Sequence, residues 1–228
     1  MNILNLIFPP KCVGCGEITD GEVFCGICRS RYEQMKREHC RRCGAPHERC
    51  RCKGTMLAKS GGFVSERHLF AFDGELSRTV IYKLKRKNLG RLQKFLASEC
   101  ARLLREEVRG GESFAVIYPP RSESGVSKYG FDQARILARE VSRITGAPLE
   151  DIFYRGKSET EQKTLTAKER EENAREAYLL SEGADLTGKC AVIIDDVVTS
   201  GSTVARLASL ATTASAERVI ILSVAKTE

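Results

Sequence analysis

No stretch of this chain approaches the roughly 18 consecutive apolar residues that a membrane-spanning helix needs, so no membrane insertion is expected. The first ten residues lack a basic start, and their apolar run is too short for a secretory leader. A soluble, cytoplasmic protein is therefore expected. Without a secretory route, a disulfide scaffold has no oxidising compartment to form in. The composition is not that of a disordered chain either: at 42% hydrophobic over 228 residues it supports one good core and a small appendage. Neither sign of charge dominates. The 37 basic and 30 acidic residues leave a net +7, which permits a phosphate-rich ligand or a nucleic acid without choosing between them.

What the chain does have is cysteine, and it is not spread evenly. Eight of the ten cysteines precede residue 53, as Cys12-x-x-Cys15, Cys25-x-x-Cys28, Cys40-x-x-Cys43 and Cys50-x-Cys52. A Cys-x-x-Cys turn places two thiolates on one side of a tight loop, and two such turns supply the tetrahedral sulfur set that Zn²⁺ prefers. Two zinc ions are expected. The simplest pairing gives Cys12, Cys15, Cys25 and Cys28 to the first, and Cys40, Cys43, Cys50 and Cys52 to the second. A crossed arrangement of the knuckles stays open at this point, and the tighter Cys50-x-Cys52 leaves room for His39 or His47 as a substitute ligand. A redox role is disfavoured because no βαβ pattern surrounds the pairs. With all ligand positions filled by sulfur the segment is structural or partner-binding. Its basic residues, among them Arg29, Arg31, Lys36, Arg37, Arg41, Arg42, Arg49 and Arg51, read as a solvated surface that offsets thiolate charge. A nucleic-acid contact is the rival reading. The boundaries expected are a zinc-binding domain over residues 1–55 and a larger domain over 56–228, joined near Gly54–Gly62.

The second informative stretch lies near the C-terminus. Val192-Ile193-Ile194 has the apolar run of a buried parallel strand. Asp195 and Asp196 follow where that strand should end, then Thr199-Ser200-Gly201-Ser202-Thr203, then a helical pattern from Val204. Backbone N–H groups at a helix start attract phosphate, and Gly201 allows close approach. The two carboxylates suit ribose hydroxyls and Mg²⁺. Between the two regions, Leu69–Phe72 reads as a strand, Asp73-Gly74 as a turn, Leu76–Leu84 as a helix and about Leu89–Val108 as another. Lys83, Lys85, Arg86 and Lys87 lie between these helices, either as a solvated helix end or facing a pyrophosphate or nucleic-acid backbone. Cys100 reads as a packing residue. A strand at Phe114–Tyr118 runs into Pro119, Pro120 and Arg121, with Lys128 close by, a combination suited to pyrophosphate. The prolines suggest a cis bond there. A helix carrying Ile136, Leu137, Val141 and Ile144 ends at Gly146, and the polar segment 155–178 has the composition of a lid.

The stretch from Val192 to Thr203 resembles the 5-phosphoribosyl-1-pyrophosphate (PRPP) signature of type I phosphoribosyltransferases. Over nearly its whole length the chain resembles the ComF/GntX-type competence protein family, on its paired cysteines, the Lys85 region, Pro-x-Arg after the strand, Gly130-Phe131-x-Gln133, the Gln162, Leu165, Arg170 and Asn173 set, and Asp195 to Thr203. Asp132 stands where that family generally has Asn, and Tyr178 where it has Phe. The resemblance implies an α/β fold, a doubly wound type I phosphoribosyltransferase-like sheet preceded by a small double zinc ribbon. It also implies PRPP on Asp195, Asp196 and Thr199 to Thr203, a pyrophosphate loop of Pro119, Pro120, Arg121 and Lys128, and zinc and magnesium as cofactors. Asp195 and Asp196 would be the catalytic pair. Two functions follow: Mg²⁺-dependent phosphoribosyl transfer to an unknown acceptor with a role in DNA uptake and natural transformation, or a non-catalytic module that senses a phosphorylated ligand or binds single-stranded DNA. DNA-uptake and recombination proteins are the partners implied.

Overall fold

The computed structural model describes residues 8–52, 64–122, 125–127, 130–156 and 177–227. In chain order the elements are α1 (Gly26–Glu38), β1 (Val64–Ala71), α2 (Gly74–Arg86), α3 (Gly90–Glu107), β2 (Phe114–Ile117), α4 (Gln133–Thr145), β3 (Phe153–Arg155), β4 (Tyr178–Leu180), β5 (Cys190–Val198), α5 (Ser202–Thr213) and β6 (Arg218–Lys226). β1, β6, β5 and β2 form one all-parallel sheet in that order, while β3 and β4 pair antiparallel beside it. A parallel sheet must be covered on both faces, and this one is. Val192 and Ile194 of β5 join Leu92 and Leu96 of α3 and Leu137 and Val141 of α4 in one core. Ala191 and Ile193 join Leu207, Ala208 and Ala211 of α5 in the other. The period-two alternation of a strand thus feeds two cores from one apolar run. Cys100 is fully buried in the first.

Both helices after β1 and the one before β3 fall within a few residues of their expected bounds. Strand lengths differ more. β1 begins at Val64 rather than Leu69, because Glu66 and His68 are buried polar residues where a strand core would be apolar. β5 continues past the acidic pair to Val198, because β6 keeps pairing with it as far as Val198↔Lys226. The central strand β6 is unassigned above, although Val219-Ile220-Ile221-Leu222 carries the same apolar signal as β5. No cis peptide bond occurs among the described residues, so the expected cis bond at Pro119–Pro120 is not formed. The proposed linker lies outside the described residues, as does most of the expected lid, residues 157–176.

Among the described residues the cysteine-rich segment has no buried cluster separate from that of the larger domain. Val13, Phe24 and Tyr32 belong to the same buried cluster as Leu69, Leu96 and Leu137. Phe24 stacks on Tyr32 at 5.3 Å, Phe95 of α3 meets both rings edge-on at 5.5 and 5.3 Å, and Phe70 of β1 closes the group at 6.0 Å from Tyr32. Lys36, expected at a basic surface, is instead buried, with Nζ 2.6 Å from Glu99 and 2.8 Å from Glu33.

A second contact is polar. His68 donates its backbone N–H to the Arg41 carbonyl at 2.8 Å, and its ring nitrogens lie 2.7 Å from Ser223 Oγ, 3.1 Å from the Arg42 carbonyl and 2.9 Å from Glu66 Oε1. Lys226 Nζ sits 3.0 Å from the same Glu66 oxygen. Burial alone would raise the Glu66 carboxyl, but its hydrogen bond with His68 and the charges of His68 and Lys226 outweigh that and hold it below the ordinary range. Gly44 lies directly against this cluster: a Cβ there would come 2.8 Å from Lys226 Cγ, at a φ of +79° that disfavours side chains in any case. Removing one member of a buried pair strands the other charge. Lys226→Met is expected to cost roughly 3 kcal/mol or more in urea unfolding of the zinc-loaded protein, and Glu66→Gln with Lys226→Met less than the single change. A double variant less stable than the single one would contradict this account.

Candidate active site and metal centres

The four thiols Cys12, Cys15, Cys25 and Cys28 converge, as do Cys40, Cys43, Cys50 and Cys52, each set with all its sulfurs within 4.8 Å of one another. Individual separations are 3.6 Å for Cys15–Cys25, 3.7 Å for Cys40–Cys52, 3.6 Å for Cys43–Cys50 and 3.4 Å for Cys50–Cys52. Sulfurs at about 2.3 Å from a tetrahedral zinc stand about 3.8 Å apart, so both sets fit the ion. The pairing is the uncrossed one, and neither histidine is needed: His39 turns to Asp73 at 3.8 Å, and His47 opens a short 3₁₀ turn. Burial would raise Cys12, but the N–H groups of Cys15, Cys25 and Gly14 hold its thiol down at about 6. Cys40 is treated alike by Arg42 and Cys43 and also lies at about 6. Cys28, by burial and its neighbouring thiols, and Cys52, by its neighbouring thiols and burial, are pushed up to about 12. Thiolates this close cannot all ionise without a cation between them, so the donor chemistry itself calls for a metal. The purified protein is expected to carry about two zinc ions, and Cys43→Ser with Cys52→Ser about one, by metal analysis against protein concentration. A folded wild type free of metal would refute the assignment.

The second site forms where the parallel sheet ends. β2 pairs with β5 only as far as Ile117↔Ile193, whereas β6 continues to Val198. Beyond Ile193 one side of β5 is therefore vacated, at the carboxyl ends of the strands, where ligands of open α/β sheets bind. Asp195 and Asp196 occupy this length of strand. As neighbours in an extended chain they face opposite sides of the sheet. Asp196 meets Lys85, the penultimate residue of α2, with Nζ 3.3 Å from Oδ1. The Lys85 carbonyl in turn accepts from the buried Gln133 amide at 2.7 Å. Asp195 lies on the side of Tyr178, whose hydroxyl is hydrogen-bonded to Thr203 and which feels the Asp195 charge. Arg206 of α5 holds the Tyr178 carbonyl through Nε at 3.3 Å and a terminal nitrogen at 3.2 Å, and Arg155 lies over the ring at 5.1 Å.

Val197 to Val204, with Asp195, line a small open cleft. Gly201 stands at the N-cap of α5 with φ +79° and has no capping side chain, and the first turn is reached only by Ser200 Oγ, a long 3.5 Å from the Ser202 N–H. The first turn of α5 is therefore open to an anion. Ser200 and Ser202 share a hydroxyl contact at 2.9 Å. Arg121 follows β2, its backbone N–H given to Asp132 Oδ2 at 2.9 Å and a guanidinium nitrogen to the Phe131 carbonyl at 3.4 Å. Asp132 Oδ1 also accepts the Arg135 N–H at 3.1 Å, capping α4. Both of its oxygens are thus acceptors, a double role that Asp fills and Asn does not. Pro119 is buried and Pro120 half-buried beside Arg121; Lys128 lies outside the described residues. Lys85, Gln133 and Tyr178 complete the site beyond the residues expected of it. The sequence marks Lys85 as a cation that could face a pyrophosphate, and Gln133 and Tyr178 only as positions of the family pattern, with no role in the site attached.

Burial and the Asp196 carboxylate push the Asp195 carboxyl up from its ordinary 3.8 to about 7, with Asp132 adding repulsion, against the Asp196 N–H and the Lys85 ammonium. A carboxyl whose folded pKa exceeds its unfolded value penalises the fold where it is ionised, fully above pH 7 and progressively less as pH falls toward 4. Asp195→Asn removes the penalty. The ligand-free variant is expected to exceed the wild type by on the order of 1–3 kcal/mol at pH 8, the gap narrowing as pH is lowered from 7 toward 4. A gap that is absent at pH 8, or that widens on acidification, would show that Asp195 bears no such cost.

Residues 3–60 match the double zinc ribbon domain model and residues 89–227 the phosphoribosyl transferase domain model. The chain is 23% identical to competence protein ComFC of Streptococcus pneumoniae, across 95% of its own length and 100% of that protein. It is 25% identical to competence protein F of Haemophilus influenzae, across 94% of its length and 90% of that protein. A solved hypoxanthine phosphoribosyl transferase of Trypanosoma cruzi aligns with a TM-score of 0.36 at 15% identity, over 64% of each chain. Among the described residues no helix is long and apolar enough to cross a membrane.

Proposed function

The chain belongs to the phosphoribosyl transferase domain family, with a double zinc ribbon ahead of that domain in the ComF-type arrangement, and from that premise we propose that it binds PRPP and transfers its phosphoribosyl group to a nitrogen acceptor. The observation that carries this reading is the divergent Asp195–Asp196 pair beside the uncapped first turn of α5. The 5′-phosphate rests on the backbone and hydroxyls of Thr199 to Thr203. Asp195 and Asp196 accept from the ribose hydroxyls and face the positive charge that grows at C1 as the pyrophosphate leaves. The C1–O bond to pyrophosphate breaks with its electron pair going to oxygen. A nitrogen lone pair forms the C1–N bond and the acceptor proton passes to water. Lys85, Arg121 and Lys128 supply positive charge toward the leaving pyrophosphate. Hard carboxylate oxygens of the Asp195–Asp196 kind suit Mg²⁺, which on PRPP would neutralise the diphosphate. The raised pKa of Asp195 fits this arrangement, since a bound cation restores the ionised form.

A second reading has its own support. Tyr82 is 55% exposed on α2 and Arg86 lies over its ring at 5.2 Å, with Lys87 exposed next to it. An exposed aromatic beside cations is what single-stranded nucleic acid stacks upon. This reading makes the protein a single-stranded DNA binder in uptake and recombination, the setting that the names of the two competence relatives suggest. Calorimetric titration with PRPP and Mg²⁺ tests the first reading. Binding is expected in the wild type and is expected to fall at least 100-fold in Asp195→Asn with Asp196→Asn, since each lost charged contact is worth roughly 1.5–3 kcal/mol. Equal affinity in the two proteins would sink it. Single-stranded DNA affinity that drops steeply with salt and depends on Tyr82 would move the assignment to the second reading.

A further inference from the structure

We propose that Lys83 is a positioning residue through which the first cysteine knuckle sets the place of Lys85 against the acidic pair. This inference rests on the reading of Asp195 and Asp196 as the PRPP site.

Two residues apart on a helix, side chains point about 200° from each other. Lys83 and Lys85 therefore leave α2 in nearly opposite directions. Lys85 goes to Asp196 in the site. Lys83 goes to the knuckle, its Nζ donating to the Val13 carbonyl at 2.7 Å. Val13 is the first residue inside the Cys12-x-x-Cys15 turn, 1% exposed, its own N–H given to the Val23 carbonyl at 2.8 Å. Zinc held by Cys12, Cys15, Cys25 and Cys28 would fix the peptide that receives Lys83. An ammonium group resting on a neutral carbonyl, where water was available to it, serves as a tether rather than as charge compensation.

The rest of the junction is gripped from the same side. Arg91, at the start of α3, donates to the carbonyls of Lys11 and, at 3.0 Å, of Glu22. A Cβ on Gly14 would meet Cys28 Sγ at 2.6 Å and Leu76 Cδ1 of α2 at 3.1 Å, so the knuckle lies directly against this helix. Within α2 the last turn closes on Lys83, whose carbonyl accepts the Lys87 N–H at 3.0 Å, and Gln133 takes the Lys85 carbonyl from the opposite side. A helix end is the part most prone to fray. Here its last turn is held at Lys83 by the knuckle and at the Lys85 carbonyl by α4.

A double-mutant cycle tests the assignment. Lys83→Met keeps the apolar stem and removes the donor; it is expected to weaken Mg²⁺–PRPP binding about tenfold while both zinc ions are retained. Lys83→Arg, which can still reach the carbonyl, should recover most of that loss. In a Lys85→Met background Lys83→Met should add nothing, because Lys83 acts only through Lys85. Losses that multiply in the double variant, or a Lys83→Met protein of wild-type affinity, would overturn the proposal. Hydrogen exchange on the ligand-free protein gives a second readout: Lys83→Met should speed exchange at the Lys87 and Leu89 amides, and unchanged protection there also overturns it. If the wild type takes up no PRPP, the functional reading falls, and the exchange measurement alone decides whether Lys83 holds the helix end.

Discussion

Adjacent residues of a strand face opposite sides of its sheet, and the Asp195–Asp196 pair turns that geometric necessity into a site. Two carboxylates in sequence would repel each other in any conformation. On β5 they are sent into different surroundings, one toward Lys85 in the last turn of α2 and the other toward Tyr178 and Thr203. The asymmetry has an energetic consequence. Asp196 has Lys85 at 3.3 Å, whereas for the half-buried Asp195 the same lysine does not offset desolvation and the neighbouring negative charge, and its carboxyl is accordingly pushed up. A group kept costly in the empty protein is one whose cost a bound cation can remove. The early end of β2 makes this possible, because only where a strand lacks a partner can a ligand reach the backbone and side chains of the next.

What could be read from sequence was what is local. The apolar run, acidic pair and hydroxyl-rich loop occupy consecutive positions, and the paired cysteines announce themselves by spacing. The features that needed the structure are those made by distant residues. Lys85 becomes part of the site only because α2 ends beside β5. Gln133 stands out in sequence as part of the Gly130-Phe131-x-Gln133 pattern, but its role shows only when its amide is seen on the Lys85 carbonyl. The first half of β1 hid behind Glu66 and His68, since nothing in a sequence says that two polar side chains will be buried together with a lysine from β6. Asp132 illustrates the opposite case. It departs from the family's Asn, and its two oxygens each take a backbone N–H.

The same distinction changes the view of the cysteine-rich segment. Its many basic residues suggested either a solvated surface or a nucleic-acid contact. Two are ties instead: Lys36 to Glu99, and Arg29 over Phe95 at 4.9 Å. A segment this short cannot bury enough apolar surface alone, and its aromatic residues complete the core of the larger domain. Metal orders the knuckles; the sheet and its helices supply the hydrophobic partner.

The position of β6 reaches beyond the finished molecule. β1 touches the rest of the sheet only through β6, and contacts such as His68 to Ser223 join residues 155 apart. During synthesis the cysteine knuckles emerge early and can take up metal at once, yet the surface they dock against is incomplete until the β6 segment has left the ribosome. For most of translation the ribbon and β1 are neighbours waiting for a keystone, with the apolar edge of β1 unpaired.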